Sequence, residues 1–361
     1  MHHSLPLHTM RPNTKPVATW LMVGVIMIIV QIILGGITRL TGSGLSITEW
    51  NVVTGVLPPM DNASWLHEFE KYQQTEQFKQ LNSGFTLSDF KFIFFWEWFH
   101  RLWGRLIGIV FIIPFIIFLF QRRFSSWMIK PLLILFLLGA LQGVIGWIMV
   151  ASGLTGDAVY VRPTKLAMHF VLAMILLFYT YWFALQLRTP RESRVDNKKL
   201  SNFTWMVIAV LFIQFFWAAL MAGHRAATVA YTWPDMNGSF IPPGIFNRPE
   251  GIISIIENPL VVHFIHRMLA YFLVILVIIW TIKSFRIIAT PAFKRVRLFP
   301  IGFVILQTIL GIFTVISSIA IRAYKWNEFE WMAQLHQVVG MLFMLSLVHV
   351  LYLLGSKTQY A

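Results

Sequence analysis

Eight long apolar runs, at about residues 17–37, 91–120, 131–151, 165–187, 201–222, 258–282, 299–319 and 331–354, constrain this chain more than anything else in it. Each approaches or exceeds the ~20 residues that carry a helix across ~30 Å of hydrocarbon. Inside a bilayer every backbone N–H and C=O must be satisfied by a helix or a closed barrel, and no alternating ten-residue pattern suggests a barrel. The expected fold is therefore all-α, an integral membrane protein with eight spans. A charged fraction of only 12% and a mean hydropathy of +0.68 exclude an ordinary soluble domain.

The net charge of +14 is placed as membrane topology requires, not as a nucleic-acid footprint. Residues 1–16, 121–130, 188–199, 283–297 and 355–361 hold sixteen of the 29 Lys/Arg, against only Glu192 and Asp196. The rest of the chain is balanced, so the whole surplus faces one side, and the positive-inside rule puts both termini in the cytoplasm. Charge explained in this way gives no reason to invoke a nucleic-acid partner. The chain has no cysteine, so neither disulfide nor thiolate chemistry is available, and any redox step must use a cofactor. Met1 to Pro16 has no apolar core and no Arg/Ser-rich amphipathic pattern, which fits a bacterial inner membrane better than an imported protein.

Within the second apolar run sits an ionisable cluster, Glu97-Trp98-Phe99-His100-Arg101-Leu102-Trp103-Gly104-Arg105, and a related one returns as His263-Phe264-Ile265-His266-Arg267. Such groups are costly in hydrocarbon and persist where they have partners or a function. Other residues recur in the same order. Gln31 matches Gln214, and Trp50 matches Trp233, at an offset of 183; His100 matches His266 at 166; Gln142 matches Gln307 at 165; and His169 matches His336 at 167. Ordered matches at stable offsets predict a four-helix unit repeated in parallel orientation. The predicted organisation is a cytoplasmic tail (1–16), an N-terminal four-helix half (17–187), a cytoplasmic linker (188–200), a C-terminal four-helix half (201–354) and a short tail (355–361). The two halves are expected to be pseudo-symmetric bundles. Between the first two spans, Ser64 to Gln80 has the pattern of a surface helix.

His100, His169, His266 and His336 each lie roughly five to ten residues past the start of an even-numbered span, a depth of ~8–15 Å. All four then share the outer leaflet. A lone transmembrane histidine is commonly an interhelical hydrogen-bond partner; four at one depth, two per half on different helices, are what gripping a haem iron from both faces requires. His349 has no histidine match and is read as structural; His224, also without a match, lies beside Arg225 close enough to the outer face to contact a ligand, and no compact set such as HExxH suggests zinc. Arg39, Arg101, Arg105, Arg162 and Lys165 in one half, and Arg225, Arg267, Arg322 and Lys325 in the other, lie near the outer surface. Guanidinium groups there suit carboxylates such as haem propionates, with interfacial snorkelling as the alternative. The halves differ at one place: Glu97 lies three residues before His100, on the same helix face about 4.5 Å away along the axis, and the second half has His263 instead. A carboxylate there can accept protons or stabilise a developing cation, so one half looks built for chemistry and the other for electrons.

These motifs, with Gly35-Gly36-Ile37-Thr38-Arg39-Leu40-Thr41-Gly42-Ser43-Gly44-Leu45-Ser46, Leu141-Gln142-Gly143, Met168-His169-Phe170 and Leu335-His336-Gln337, resemble the haem A synthase family over residues 17–354. The resemblance implies oxidation of the C8 methyl of haem O to a formyl group, giving haem A for terminal oxidases. It implies His266 and His336 as axial ligands of a resident haem b, and His100 and His169 as the pair at the substrate haem, with Glu97 the nearby carboxylate needed for turnover. It also implies an electron acceptor, and partners such as a haem O synthase or oxidase assembly factors. Some bacterial branches carry a cysteine pair in the first outer loop; this chain resembles the cysteine-free branch. The alternative is a di-haem b-type cytochrome that only moves electrons, but haems for transmembrane transfer are expected at different depths. A repeat-built transporter is the other rival, and its polar site is expected near the midplane.

Overall fold

The computed structural model describes residues 14–49, 56–245, 251–320 and 326–356. Trp50, Arg322, Lys325, nearly all of the N-terminal tail and most of the C-terminal tail lie outside the described residues. Within them the eight expected spans are eight helices long and apolar enough to cross a membrane: α1 (Lys15–Leu40), α3 (Leu87–Phe120), α4 (Ser126–Ala151), α5 (Pro163–Arg188), α6 (Lys198–Gly223), α8 (Pro259–Phe285), α10 (Phe299–Ser317) and α11 (Glu328–Leu353). Three shorter helices complete the set, α2 (Asn62–Gln73), α7 (Ser254–Glu257) and α9 (Pro291–Val296). The described residues contain no strand beyond one isolated bridge between Met236 and Ser239.

Local chemistry fixes several helix ends. The apolar run predicted α3 from residue 91, but the helix begins a turn earlier because Thr86 and Asp89 form a capping box that satisfies its first donors. Asn327 and Glu330 do the same for α11. Proline in the first turn, where its missing N–H costs nothing, opens α5 and α8. The polar segment 64–80 is not one helix: α2 ends at Gln73 and a π-helical turn follows at Phe78–Asn82. Its aromatic face rests on the start of α3, with Phe69 and Tyr72 at 5.1 and 5.3 Å from the Phe90 ring.

The largest apolar core is shared by α5, α6, α8 and α11 around Met174, Val207, Val277, Trp280 and Leu347. A second core, around Trp20, Met128, Leu132 and Phe183, joins α1, α4 and α5 near the linker end of the molecule. Helix α11 is the most enclosed span. At Gly36 it touches α1 so closely that an added Cβ would strike the amides of Gln334 and Gln337. Those amides donate to the carbonyls of Ile33 and Ile32, at 3.2 and 2.8 Å. Together with α5 against α6, this seam holds the first four spans to the last four. The linker is clamped too: Val195 N–H donates to the Leu353 carbonyl at 2.6 Å, and Arg194 lies 4.2 Å over the Tyr352 ring.

Candidate functional site

Four glutamines, Gln214 buried and the other three partly so, position the four histidines. Each pair joins neighbouring spans: Gln31 of α1 with His100 of α3, Gln142 of α4 with His169 of α5, Gln214 of α6 with His266 of α8, and Gln307 of α10 with His336 of α11. In three pairs the glutamine Nε2 donates to the histidine's own backbone carbonyl, at 3.2, 3.1 and 3.0 Å, and lies 3.1–3.3 Å from a ring nitrogen. In the fourth, the ring Nδ1 of His336 lies 3.0 Å from the Gln307 backbone carbonyl. A carbonyl only accepts, so Nδ1 carries the proton and Nε2 keeps its lone pair, as a metal-ligating histidine requires.

Small residues admit the rings. One turn after each glutamine stands Gly35, Gly146, Ala218 or Gly311. A Cβ at Gly146 or Gly311 would stand 2.9 Å from the ring of His169 or His336, and at Gly35 it would stand 3.2 Å from that of His100. All four histidines line one cavity of about 1630 Å³, well above the ~300–1,000 Å³ of a drug-sized pocket. The rings of His266 and His336 stand edge to face, at 72° with centroids 6.4 Å apart. Two metal–nitrogen bonds of about 2 Å plus the reach from each nitrogen to its ring centre fit that gap. The glutamine Oε1 atoms of all four pairs are buried without a partner among the described residues, and those of Gln31, Gln142 and Gln214 are acceptors available to a ring N–H once iron is bound. The donor set, spacing and volume fit haem held between imidazoles.

Glu97 is 2% exposed and fully engaged. Its Oε2 accepts from Ser46 Oγ at 2.7 Å and from Ile47 N–H at 2.9 Å. Its Oε1 pairs with Arg101 at 2.6 Å, and the carboxylate lines the cavity. Arg101 also donates to the carbonyls of Ile47 and Glu49, at 3.1 and 3.0 Å, so the glycine-rich segment after α1 is tied down over the cavity. The second cluster repeats the device with one substitution. Arg267 Nε donates to His263 Nε2 at 3.0 Å, and its terminal nitrogens donate to the carbonyls of Ala230, Thr232 and Asp235. Ala230 and Thr232 stand at the offset of 183 from Ile47 and Glu49.

The other cations divide by what they touch. Arg39, Arg105 and Arg225 line the cavity. Arg39 donates to the Ala222 carbonyl at 3.1 Å, and Arg225, in the left-handed region at φ 54, stacks 3.8 Å over the Tyr160 ring. Arg101 and Arg267 line it as well, but carry the loop bonds just described. His224 Nε2 donates to the Ile256 carbonyl at 2.7 Å, and His349 Nδ1 is 2.8 Å from the Tyr181 hydroxyl, so both are engaged structurally. Among the described residues no group of three or more His, Cys, Asp or Glu could hold a metal ion. The glutamines recur in the sequence in the same order as the histidines, at offsets of 183 and 165, yet their pairing with the rings is not readable there. Ser46 carried no signal beyond membership of a glycine-rich run.

The family model described as cytochrome oxidase assembly protein, COX15-CtaA, matches residues 18–348. Among curated relatives, a heme A synthase of Cereibacter sphaeroides is 39% identical over 94% of this chain and 88% of its own length. One of Methylorubrum extorquens is 37% identical, over 94% of this chain and 86% of its own. One of Flavobacterium johnsoniae is 34% identical, over 96% of this chain and the whole of its own length.

Proposed function

The chain belongs to the COX15-CtaA family of cytochrome oxidase assembly proteins, the haem A synthases, and on that premise we propose how its residues divide the work. It is a multi-pass membrane oxidoreductase that converts haem O to haem A, turning the C8 methyl of the porphyrin into a formyl group. The reaction replaces C–H bonds of the methyl with a C=O bond, so it takes up an oxygen atom while releasing electrons and protons in steps, and it needs a proton acceptor beside the methyl and a route for electrons. A bound haem supplies one-electron redox chemistry.

In our reading the substrate haem lies between His100 and His169, and a resident haem b lies between His266 and His336 as the electron relay. Glu97 is the proton acceptor at the substrate. The observation that carries this division is the difference at one matched place: a carboxylate–arginine pair in one half, a histidine–arginine pair in the other. The Glu97 pair can take a proton from a reacting group; the His263 pair has no carboxylate to do so. Arg39, Arg105 and Arg225 line the cavity and are placed for propionates, whereas Arg101 and Arg267 are committed to loop carbonyls. The recurrence of those carbonyl bonds at matching positions supports reading residues 17–187 and 201–354 as two copies of one four-helix unit.

We read both termini as lying in the cytoplasm of a bacterium, with the haem sites toward the outer face of its inner membrane, and the positive surplus at the linker end supports that orientation. The electron acceptor and the partner that delivers haem O, such as haem O synthase or an oxidase assembly factor, would meet the protein there. Extracting pigments from cells with and without this chain, and weighing them by mass spectrometry, tests the function. Haem A appearing only with the chain is expected; haem O persisting unchanged in its presence would refute it.

A further inference from the structure

The two halves differ in a second way that the reaction scheme leaves unused. Helices α8 and α10 pack directly against each other, whereas the corresponding α3 and α4 make at most marginal backbone contact. The cause lies in three positions. Gly108, Gly139 and Gly143 face open space, with nothing within 4 Å of an added Cβ. At the offsets that relate the histidines and glutamines, the second half has Val274, Val304 and Thr308. Val274 packs on the main core, Val304 is 3% exposed, and Thr308 folds back onto the Val304 carbonyl at 2.8 Å. Side chains close one bundle where glycine leaves the other open.

The cavity follows this difference. Around His266 it ends on α8 at Leu273, seven residues along, or ~10 Å of helix. Around His100 it continues on α3 to Ile112, twelve residues along, or ~18 Å, and on α1 to Trp20. The extra limb is apolar and opens sideways between α3 and α4, where Ile112 and Phe136 are exposed. Its floor is aromatic: the Phe111 and Phe136 rings stack across the gap at 6.5 Å, and Trp20 lies 5.2 Å from Phe111. At its upper end are the unpartnered Nδ1 of His100 and the Oε1 atoms of Gln31 and Gln142, so the limb is continuous with the ring seat.

We infer that this limb holds the isoprenoid tail of the porphyrin substrate, between α3 and α4 and alongside Gly108, Gly139 and Gly143. The inference rests on reading the His100–His169 end as the substrate haem site. Haem O carries a hydroxyethylfarnesyl chain where haem B has a vinyl group, and only the open half offers a long apolar slot starting at the ring. The resident site, sealed by Val274 and Val304, has no room for such a tail and selects a haem without one.

The test compares haem O with haem B, each titrated into the purified full-length protein with its resident haem in place and followed by the Soret difference spectrum. Gly108→Val, Gly139→Val and Gly143→Thr, singly and combined, copy the closed half. We expect haem O affinity to fall by about tenfold or more, haem B affinity to stay within about twofold, and the resident spectrum to be unchanged. The single Gly143→Thr variant keeps the test decisive if the combined protein does not fold. Equal losses for both haems, or no loss for either, would overturn the inference while leaving haem A formation by the wild type intact. Phospholipid retained after saturation with haem O, seen by native mass spectrometry, would give the slot to an acyl chain instead and overturn it as well. Wild type that neither binds haem O nor forms haem A would remove the function and the tail slot together.

Discussion

Glu97 is held by one charged and two neutral donors, and each sets a different property of the site. Arg101 balances the charge of the buried carboxylate, while Ser46 and the Ile47 N–H fix its orientation toward the cavity. Replacing it by glutamine keeps an acceptor for Ser46 but removes the charge and with it the proposed proton acceptor. Haem A formation is expected to fall by about 10²-fold or more, with the low-spin haem spectrum retained; normal turnover would end the catalytic role. Removing the partner has another signature. Arg101→Ala strands a buried carboxylate, at a cost of about 3–5 kcal/mol, and frees the segment around Ile47, so the thermal midpoint in detergent should drop together with activity. An unchanged midpoint would show the ion pair to be dispensable. The shared face of Glu97 and His100 follows from their spacing in the sequence. The clamp does not, because Arg101 binds backbone carbonyls some fifty residues away, and a carbonyl has no sequence signature.

Helices here are legible as helices and opaque as neighbours. Apolar runs place all eight spans to within a turn or so, and the recurring histidines and glutamines give the order of the two halves. Which faces meet is another matter: spans that are apolar all round carry no stripe to show which side turns inward, since lipid and protein core are alike to leucine. The glutamine–histidine pairing and the unequal packing of α3–α4 and α8–α10 therefore emerge only in three dimensions. The small residue one turn after each glutamine is the local condition for that pairing. Gly311→Val puts a branched side chain where even a Cβ would stand 2.9 Å from His336. It should lower the ratio of bound haem to protein several-fold, as read by pyridine haemochrome. Gly302→Val, on the same helix and with nothing within 4 Å of its added Cβ, is the matched control and should leave the ratio unchanged. Equal behaviour of the two variants would show that α10 does not set the ring's position.

At the scale of the molecule, the first four spans and the last four share one cavity and one seam, with α11 in the middle. The amides of Gln334 and Gln337 fasten α11 to α1, so the two histidine pairs are held in fixed relation, as the proposed redox pair requires. Such an arrangement lets the two histidine pairs differ in what they hold. The proposed division gives His100 and His169 a haem that comes and goes, and His266 and His336 one that stays. Purifying the wild type alongside the four single His→Ala variants, each grown without added haem O, and measuring bound low-spin haem b per chain separates those roles. His266→Ala and His336→Ala should lose the resident haem, while His100→Ala and His169→Ala should keep it and lose only haem A formation. Haem b that disappears with His100 or His169, and survives without His266 and His336, would contradict the division and exchange the two halves.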